Sequence, residues 1–198
     1  TFNNLTTTSY ADGSTVETLF AYPGSNFDTT GAKRKPQVQI DQLGNRTTMQ
    51  YNGRGQLLSV QNPIGAFTTL GYDSFGNRVS ATNPLGFVTT QLYDLAGNVT
   101  GSIDPLGNQT TLIYDPQNRI VSSQDALGNI TSLGYDSVGN LIVRIDPLGY
   151  RVTQSYGVFG NVLTIQNQRG YVTSNIYDAN GWLIATQDAL GSLTTNVY

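Results

Sequence analysis

The chain contains neither cysteine nor histidine. That excludes disulfides, thiol chemistry and Cys/His zinc sites, and it removes the usual Ser–His and Cys–His nucleophile–base pairs. It also leaves the redox compartment unmarked. Charge is scarce: charged residues are 12% of the 198, and ten Lys plus Arg against 13 Asp plus Glu give a net charge of −3. A nucleic-acid binder shows a basic face. Here the one basic cluster, Lys33-Arg34-Lys35 before Pro36, reads as a solvated loop, so no nucleic-acid partner is expected. No run approaches the roughly 18–20 apolar residues that span a bilayer, so no membrane insertion is expected. No charged-then-apolar leader stands at Thr1, and a secretion signal is expected to have been removed or to lie outside this segment. What the chain has in quantity is Thr, Ser, Asn, Gln and 22 Gly, a mixture that suits two-faced strands joined by tight turns.

A strict internal period organises these residues. Tyrosines stand at Tyr51, Tyr72, Tyr93, Tyr114, Tyr135, Tyr156, Tyr177 and Tyr198, each 21 residues from the last. Gly44, Gly65, Gly86, Gly107, Gly128, Gly149, Gly170 and Gly191 keep the same step. Seven complete units fill 41–187 without insertion or deletion, and a half unit fills 188–198. Such self-similarity sets the fold class before any local propensity does.

Each unit divides into four parts. It opens on turn chemistry, as in Asp104-Pro105-Leu106-Gly107 or Asp146-Pro147-Leu148-Gly149. There Asp or Asn bonds its own downstream backbone, Pro presets φ and Gly supplies the left-handed position. A Thr-rich strand ending in Tyr follows, such as Thr68-Thr69-Leu70-Gly71-Tyr72. A second turn, Asp73-Ser74-Phe75-Gly76-Asn77, leads to a short second strand such as Leu141-Ile142-Val143-Arg144-Ile145. Two strands of about six residues with Gly/Asn turns at both ends predict a hairpin, and hairpins in series predict an all-β antiparallel meander. A 21-residue step is too short for helix-pair solenoids or four-stranded propeller blades.

Recurrence also nominates structural residues. The turn leucine returns as Leu43, Ile64, Leu85, Leu106, Leu127, Leu148 and Leu190, broken by Arg169, and is expected to pack inward with the tyrosines. The apolar pairs Leu57/Leu58, Ile120/Val121, Leu141/Ile142, Val162/Leu163 and Leu183/Ile184 follow five of the tyrosines by six and seven residues. Adjacent strand residues face opposite ways, so one of each pair joins the Tyr and the other is covered or exposed. Tyr, Leu and Thr ladders with glycines at the turns form the expected structural set, and stability is cooperative along the array.

Residues 11–40 read as a degenerate unit, with a loop at 23–36 about eight residues longer than its counterparts; it is a surface insertion or a local binding feature. Residues 1–10 resemble the strand that follows a Tyr and would complete the hairpin that Tyr198 leaves open. The chain is therefore expected to be cut from a longer array, or to add head to tail with further copies.

Tyr72-Asp73-Ser74-Phe75-Gly76-Asn77, Tyr93-Asp94-Leu95-Ala96-Gly97-Asn98 and Tyr135-Asp136-Ser137-Val138-Gly139-Asn140-Leu141 resemble the signature of the Rhs/YD-repeat family. Departures are Asn52 and Gly157 in place of Asp, and Asn118 in place of Gly. The resemblance implies a long β ribbon that spirals into a hollow shell around a toxic or effector domain, as in Tc-toxin-type shells. It also brings in related cell-surface adhesion proteins of animals and wall-associated proteins of bacteria. Family shells often end in a self-cleaving aspartyl core. That role is not carried onto Asp104 or Asp146, which belong to recurrent turns.

The remaining chemistry is modest. Asp73, Asp94, Asp115, Asp136 and Asp178 form a column that offers one carboxylate per unit; turn hydrogen bonding accounts for it better than a Ca²⁺ ladder. Asn-x-Thr at Asn4, Asn45, Asn98, Asn108 and Asn129 are glycosylation acceptors or the by-product of turn Asn followed by strand Thr. Trp182 stands at a turn, where it packs locally or meets a sugar or partner. No residue set supports an enzyme, and no cofactor or metal is expected. The expected function is an extracellular or cell-surface structural array, a fibre or a shell wall, with further repeats as partners. The other reading is a module binding glycan or receptor through the 23–36 loop or the Thr ladders.

Overall fold

The structure, a computed structural model, describes residues 3–9, 15–21 and 35–196. Most of the 23–36 loop and Tyr198 lie outside the described residues. Among those described, every helix or strand element is a strand. The chain divides into two compact units, Thr1–Gly97 with Ser102–Gly107, and Asn98–Gly101 with Asn108–Tyr198.

The first unit carries β1 (Asn3–Ser9), β2 (Thr15–Ala21), β3 (Pro36–Ile40), β4 (Arg46–Tyr51), β5 (Leu57–Gln61), β6 (Phe67–Tyr72), β7 (Arg78–Thr82) and β8 (Val88–Tyr93). Each pairs antiparallel with the next in sequence. Next in the chain is β9 (Val99–Ile103). The second unit repeats the meander with β10 (Gln109–Tyr114), β11 (Ile120–Gln124), β12 (Ile130–Tyr135), β13 (Leu141–Ile145) and β14 (Arg151–Tyr156). It ends with β15 (Val162–Gln166), β16 (Val172–Tyr177), β17 (Leu183–Gln187) and β18 (Leu193–Thr195). Here too each strand pairs antiparallel with its successor. The expected all-β hairpin meander is the fold.

Turn chemistry closes the described turns from Asp41 onward in a common way. In Asp146-Pro147-Leu148-Gly149 the Gly149 N–H donates to the Asp146 carbonyl (2.9 Å), and the Asp146 N–H donates to the Tyr150 carbonyl (3.0 Å). Gly149 takes φ 82°, the left-handed position of a three-residue hairpin loop with a bulge. Gly86, Gly107 and Gly128 sit at φ 83°, 86° and 86° in the same slot. Asn118 is the one described non-glycine residue with positive φ, at 60°, which Asn tolerates better than other side chains. A Cβ at Gly149 would meet nothing within 4 Å, so substitution there isolates the backbone cost. Gly149→Asn is expected to cost under about 1 kcal/mol and Gly149→Val about 2 kcal/mol or more in chemical denaturation.

Register assigns the faces. Tyr72 shares its face with Leu70, which pairs with Ala81 and through it with Thr89. The opposite face carries Gln50, Ser59, Thr69 and Thr82 in one cross-strand row. In the second unit Leu133, Arg144 and Val152 lie on the Tyr side, and Ser155, Thr164 and Ser174 on the other. Among the described residues only Val38, Ser59, Gly101 and Ala185 are buried, and no side chain is completely so. Of the apolar pairs, Leu57, Val162 and Leu183 are half-buried while Leu58, Leu163 and Ile184 are exposed; both members are half-buried at Ile120/Val121 and Leu141/Ile142.

The turn leucines correct one expectation. Leu43, Ile64, Leu85, Leu106, Leu127, Leu148 and Leu190 are not inward but 80–89% exposed. Each is the third residue of its turn, beyond the last ladder bond. A side chain there projects from the rim of the sheet, where nothing in its own unit packs over it.

Ser59, Gly101 and Ala185 occupy one slot, eight residues after a Tyr, also held by Ser80, Ser122, Val143 and Thr164. Across the ladder sits the residue before a Tyr: Gln50 faces Ser59, Gly71 faces Ser80, Ile113 faces Ser122, Gly134 faces Val143 and Ile176 faces Ala185. The register shifts by one residue beside each of these pairs. The slot is tight: a Cβ on Gly134 would lie 2.5 Å from Val143 Cγ1, and one on Gly71 would clash with Ser80 Oγ. No two large residues therefore meet in this slot: Ile113 and Ile176 face Ser122 and Ala185, and Val143 faces Gly134.

Candidate functional site: tyrosine ties and turn rims

The tyrosines do more than stack. Tyr72, Tyr93, Tyr114, Tyr135, Tyr156 and Tyr177 donate their hydroxyls to the carbonyls of Leu57, Arg78, Val99, Ile120, Leu141 and Val162, at 2.8–3.0 Å. Each acceptor stands 15 residues earlier, at the start of the preceding unit's second strand. That carbonyl follows a turn, so the phenol satisfies a group near the rim and ties one hairpin to the next. Tyr51 lacks a regular unit before it and instead approaches Met49 Sδ at 3.5 Å, with its phenol pKa pushed up by burial.

In the described turns other than the one at Gly157, an Asp or Asn organises the backbone. Asp73 Oδ1 accepts from the Phe75, Gly76 and Asn77 N–H groups, while Oδ2 accepts from the Asn77 amide. Asn52 caps in the same way, accepting from Arg54 and Gln56. At Gly157 no cap exists; the Asn161 side chain approaches the space a Cβ would take, and the turn still closes through backbone bonds. The turn following Tyr114 adds an ion pair, Arg119 Nε to Asp115 Oδ2 at 2.7 Å. Arg119 also reaches the Asp136 carbonyl and lies 4.7 Å from the Tyr135 ring centroid, linking two neighbouring turns. Arg54 and Gln56 reach the Ser74 and Gly76 carbonyls in the same manner.

These bonds lower carboxyl pKa values. At Asp41 and Asp125 the side-chain amides of Asn45 and Asn129 dominate, followed by the backbone N–H of the same residues. At Asp73, Asp115 and Asp136 desolvation is the largest single influence and pulls upward, and the turn hydrogen bonds together outweigh it. A folded-state pKa below the unfolded value of about 3.9 gives stability that is full above that value. It is lost as pH falls through the lower folded pKa. Melting followed by circular dichroism is therefore expected to hold from pH 8 to 5, where no histidine titrates, and to drop below about pH 4. Asp125→Asn, which keeps a capping oxygen, is expected to blunt the drop.

Little else in the described residues points to chemistry. No group of three or more Asp or Glu there is placed to hold a metal ion. No helix among them is long and apolar enough to cross a membrane. A depression of about 460 Å³ is lined by Asn52, Gly53, Arg54, Gln56, Tyr72, Asp73 and Ser74, the residues of two adjacent turns. Of the acceptor-pattern asparagines, Asn45 and Asn129 donate their amides to Asp41 and Asp125, and Asn98 to Asn118. Trp182 is 59% exposed, its N–H held by Asp178.

The model of the family described as RHS Repeat matches residues 51–88, 93–131 and 135–172, more than half of the chain. The chain belongs to the RHS repeat family. A search of curated proteins gave no match. Solved structures with some likeness include the Photorhabdus luminescens Tc holotoxin pore, at 14% identity and TM-score 0.45, covering 96% of this chain and 13% of that one. Another is the TcdB2-TccC3-Cdc42 structure, at 15% identity and TM-score 0.45, covering 96% and 14%. A third is TcdB2-TccC3 without its hypervariable C-terminal region, at 15% identity and TM-score 0.44, covering 94% and 13%. This chain thus spans under a sixth of the length of those chains.

In RHS terms, the Tyr of the Tyr-Asp pair makes the tie and the Asp makes the cap. Sequence reasoning found both residues but missed the acceptors, because a backbone carbonyl has no side-chain signature. It also missed the tie between turns made by the fifth residue after the Tyr, Gln56 or Arg119. The signal was present: that slot holds a long polar or charged side chain in both units.

Proposed function

We propose that this RHS repeat segment is a length of an extracellular structural ribbon that builds the wall of a shell or the body of a fibre. The carrying observation is the set of tyrosine ties, repeated from unit to unit, together with the near absence of buried side chains within either unit. Cohesion of this kind is local and additive, so length is the quantity the sequence can vary. Every Asp in the turn columns serves backbone geometry, and the role is structural. Further repeats of the same array are the natural partners, since an open strand edge accepts another strand. In the shell form, family membership suggests an enclosed effector domain.

Electron microscopy of the purified protein tests the reading. Filaments of constant diameter support the fibre, and closed capsules of about ten nanometres or more support the shell, at ~4.8 Å per strand. Discrete monomers that bind glycan tightly would replace it with an adhesion module.

A further inference from the structure

We infer that the leucine-bearing rim of the second unit is a self-complementary contact surface for a second copy of this chain, run antiparallel. This goes beyond the ribbon itself, because it concerns lateral contact between ribbons. The rim presents four successive turn tips: Leu127, Leu148, Arg169 and Leu190. The three leucines are 87%, 80% and 89% exposed. At two strands per unit and ~4.8 Å per strand, the tips recur about every 9.6 Å.

The break in the leucine row decides the partner. Among the described residues Arg169 makes no ion pair, and only its backbone N–H is held, by Asn167. Asp146 uses Oδ1 to cap its turn, accepting from Leu148 and Tyr150, and its Oδ2 takes no hydrogen bond. Among the described residues neither of these groups has a side-chain partner, Arg169 being exposed and Asp146 half-buried. A two-fold axis midway between the Leu148 and Arg169 turns sets each Arg169 against the turn that carries Asp146 of the other copy. The same axis sets Leu127 against Leu190. Leu127 and Leu190 then meet apolar to apolar, and Arg169 meets the Leu148 turn through its Asp146 carboxylate, the self-complementarity a two-fold contact demands.

Other axes serve less well. Centring on Leu148 sends Arg169 to the Asp125 turn, where Oδ2 already accepts from Asn129 at 2.8 Å, and strands Leu190. Centring on Arg169 opposes like charges. An anionic membrane is a poor occupant for a rim that carries Asp125, Asp146 and Asp188. The contact is weak: three leucines at roughly 100 Å² each fall short of the ~800 Å² per partner of stable complexes.

Disulfide trapping suits a weak contact, and the chain has no native cysteine to confuse it. Under mild oxidation Leu127→Cys with Leu190→Cys is expected to give covalent dimer at least about tenfold faster than Leu127→Cys alone. In the antiparallel contact two copies of residue 127 lie roughly 29 Å apart, three tips at ~9.6 Å. Asp146→Asn keeps the capping oxygen, as Asn167 does natively, and is expected to slow trapping several-fold; Arg169→Glu is expected to do the same. Equal trapping by Leu127→Cys alone would overturn the proposal. So would indifference to both charge variants, or equal trapping by Val138→Cys with Asn180→Cys on the opposite rim. None of these results bears on the filament or capsule seen by microscopy, so the two readings fail separately.

Discussion

Tyr135→Ala is expected to destabilise the second unit by about 3.5 kcal/mol in chemical denaturation. A fully buried aromatic truncated to alanine costs about 3–5 kcal/mol, and half-burial reduces that to roughly 2. Loss of the hydroxyl bond to the Ile120 carbonyl adds about 1 kcal/mol. Loss of the ring beneath Arg119 adds roughly 0.5 kcal/mol more. Tyr135→Phe isolates the tie and is expected to cost about 1 kcal/mol. Equal losses for the two variants would mean that the ring contributes nothing. No loss for Tyr135→Phe would mean that water replaces the tie at no cost.

The second large effect is at the tight slot. Gly134→Ile is expected to cost about 1–3 kcal/mol, because its Cβ alone would lie 2.5 Å from Val143 Cγ1. Val143→Ala in the same chain is expected to recover most of that loss. The protein already contains the answer twice, with Ile176 opposite Ala185 and Ile113 opposite Ser122. A double-mutant cycle measures the coupling directly. Simple additivity of the two changes would show that the large-against-small pairing is incidental.

The period, the turn types and the strands were legible because each rests on a local rule. The pattern of Leu141–Ile145 predicts a strand and it is β13, and Asn118, standing where other units have a turn glycine, takes positive φ. The turn leucines were misplaced because recurrence marks a position as constrained without saying which way it points. Leu106 and Tyr114 both recur at the 21-residue step, yet one stands on a rim at 83% exposure and the other donates to Val99. The tie itself was out of reach, since its acceptor is backbone and depends on a register that no single residue announces. The size match in the tight slot waits on the same register: Gly134 with Val143, set beside Ile176 with Ala185, is visible once the pairing is known.

Amide hydrogen exchange across the strands, compared between the native chain and Tyr135→Phe, tests the central claim that cohesion passes from hairpin to hairpin through the tyrosine ties. Faster exchange concentrated in β11 and β12, with β15 to β17 changed little, is the predicted result. A uniform rise across the second unit, or no change anywhere, would contradict it.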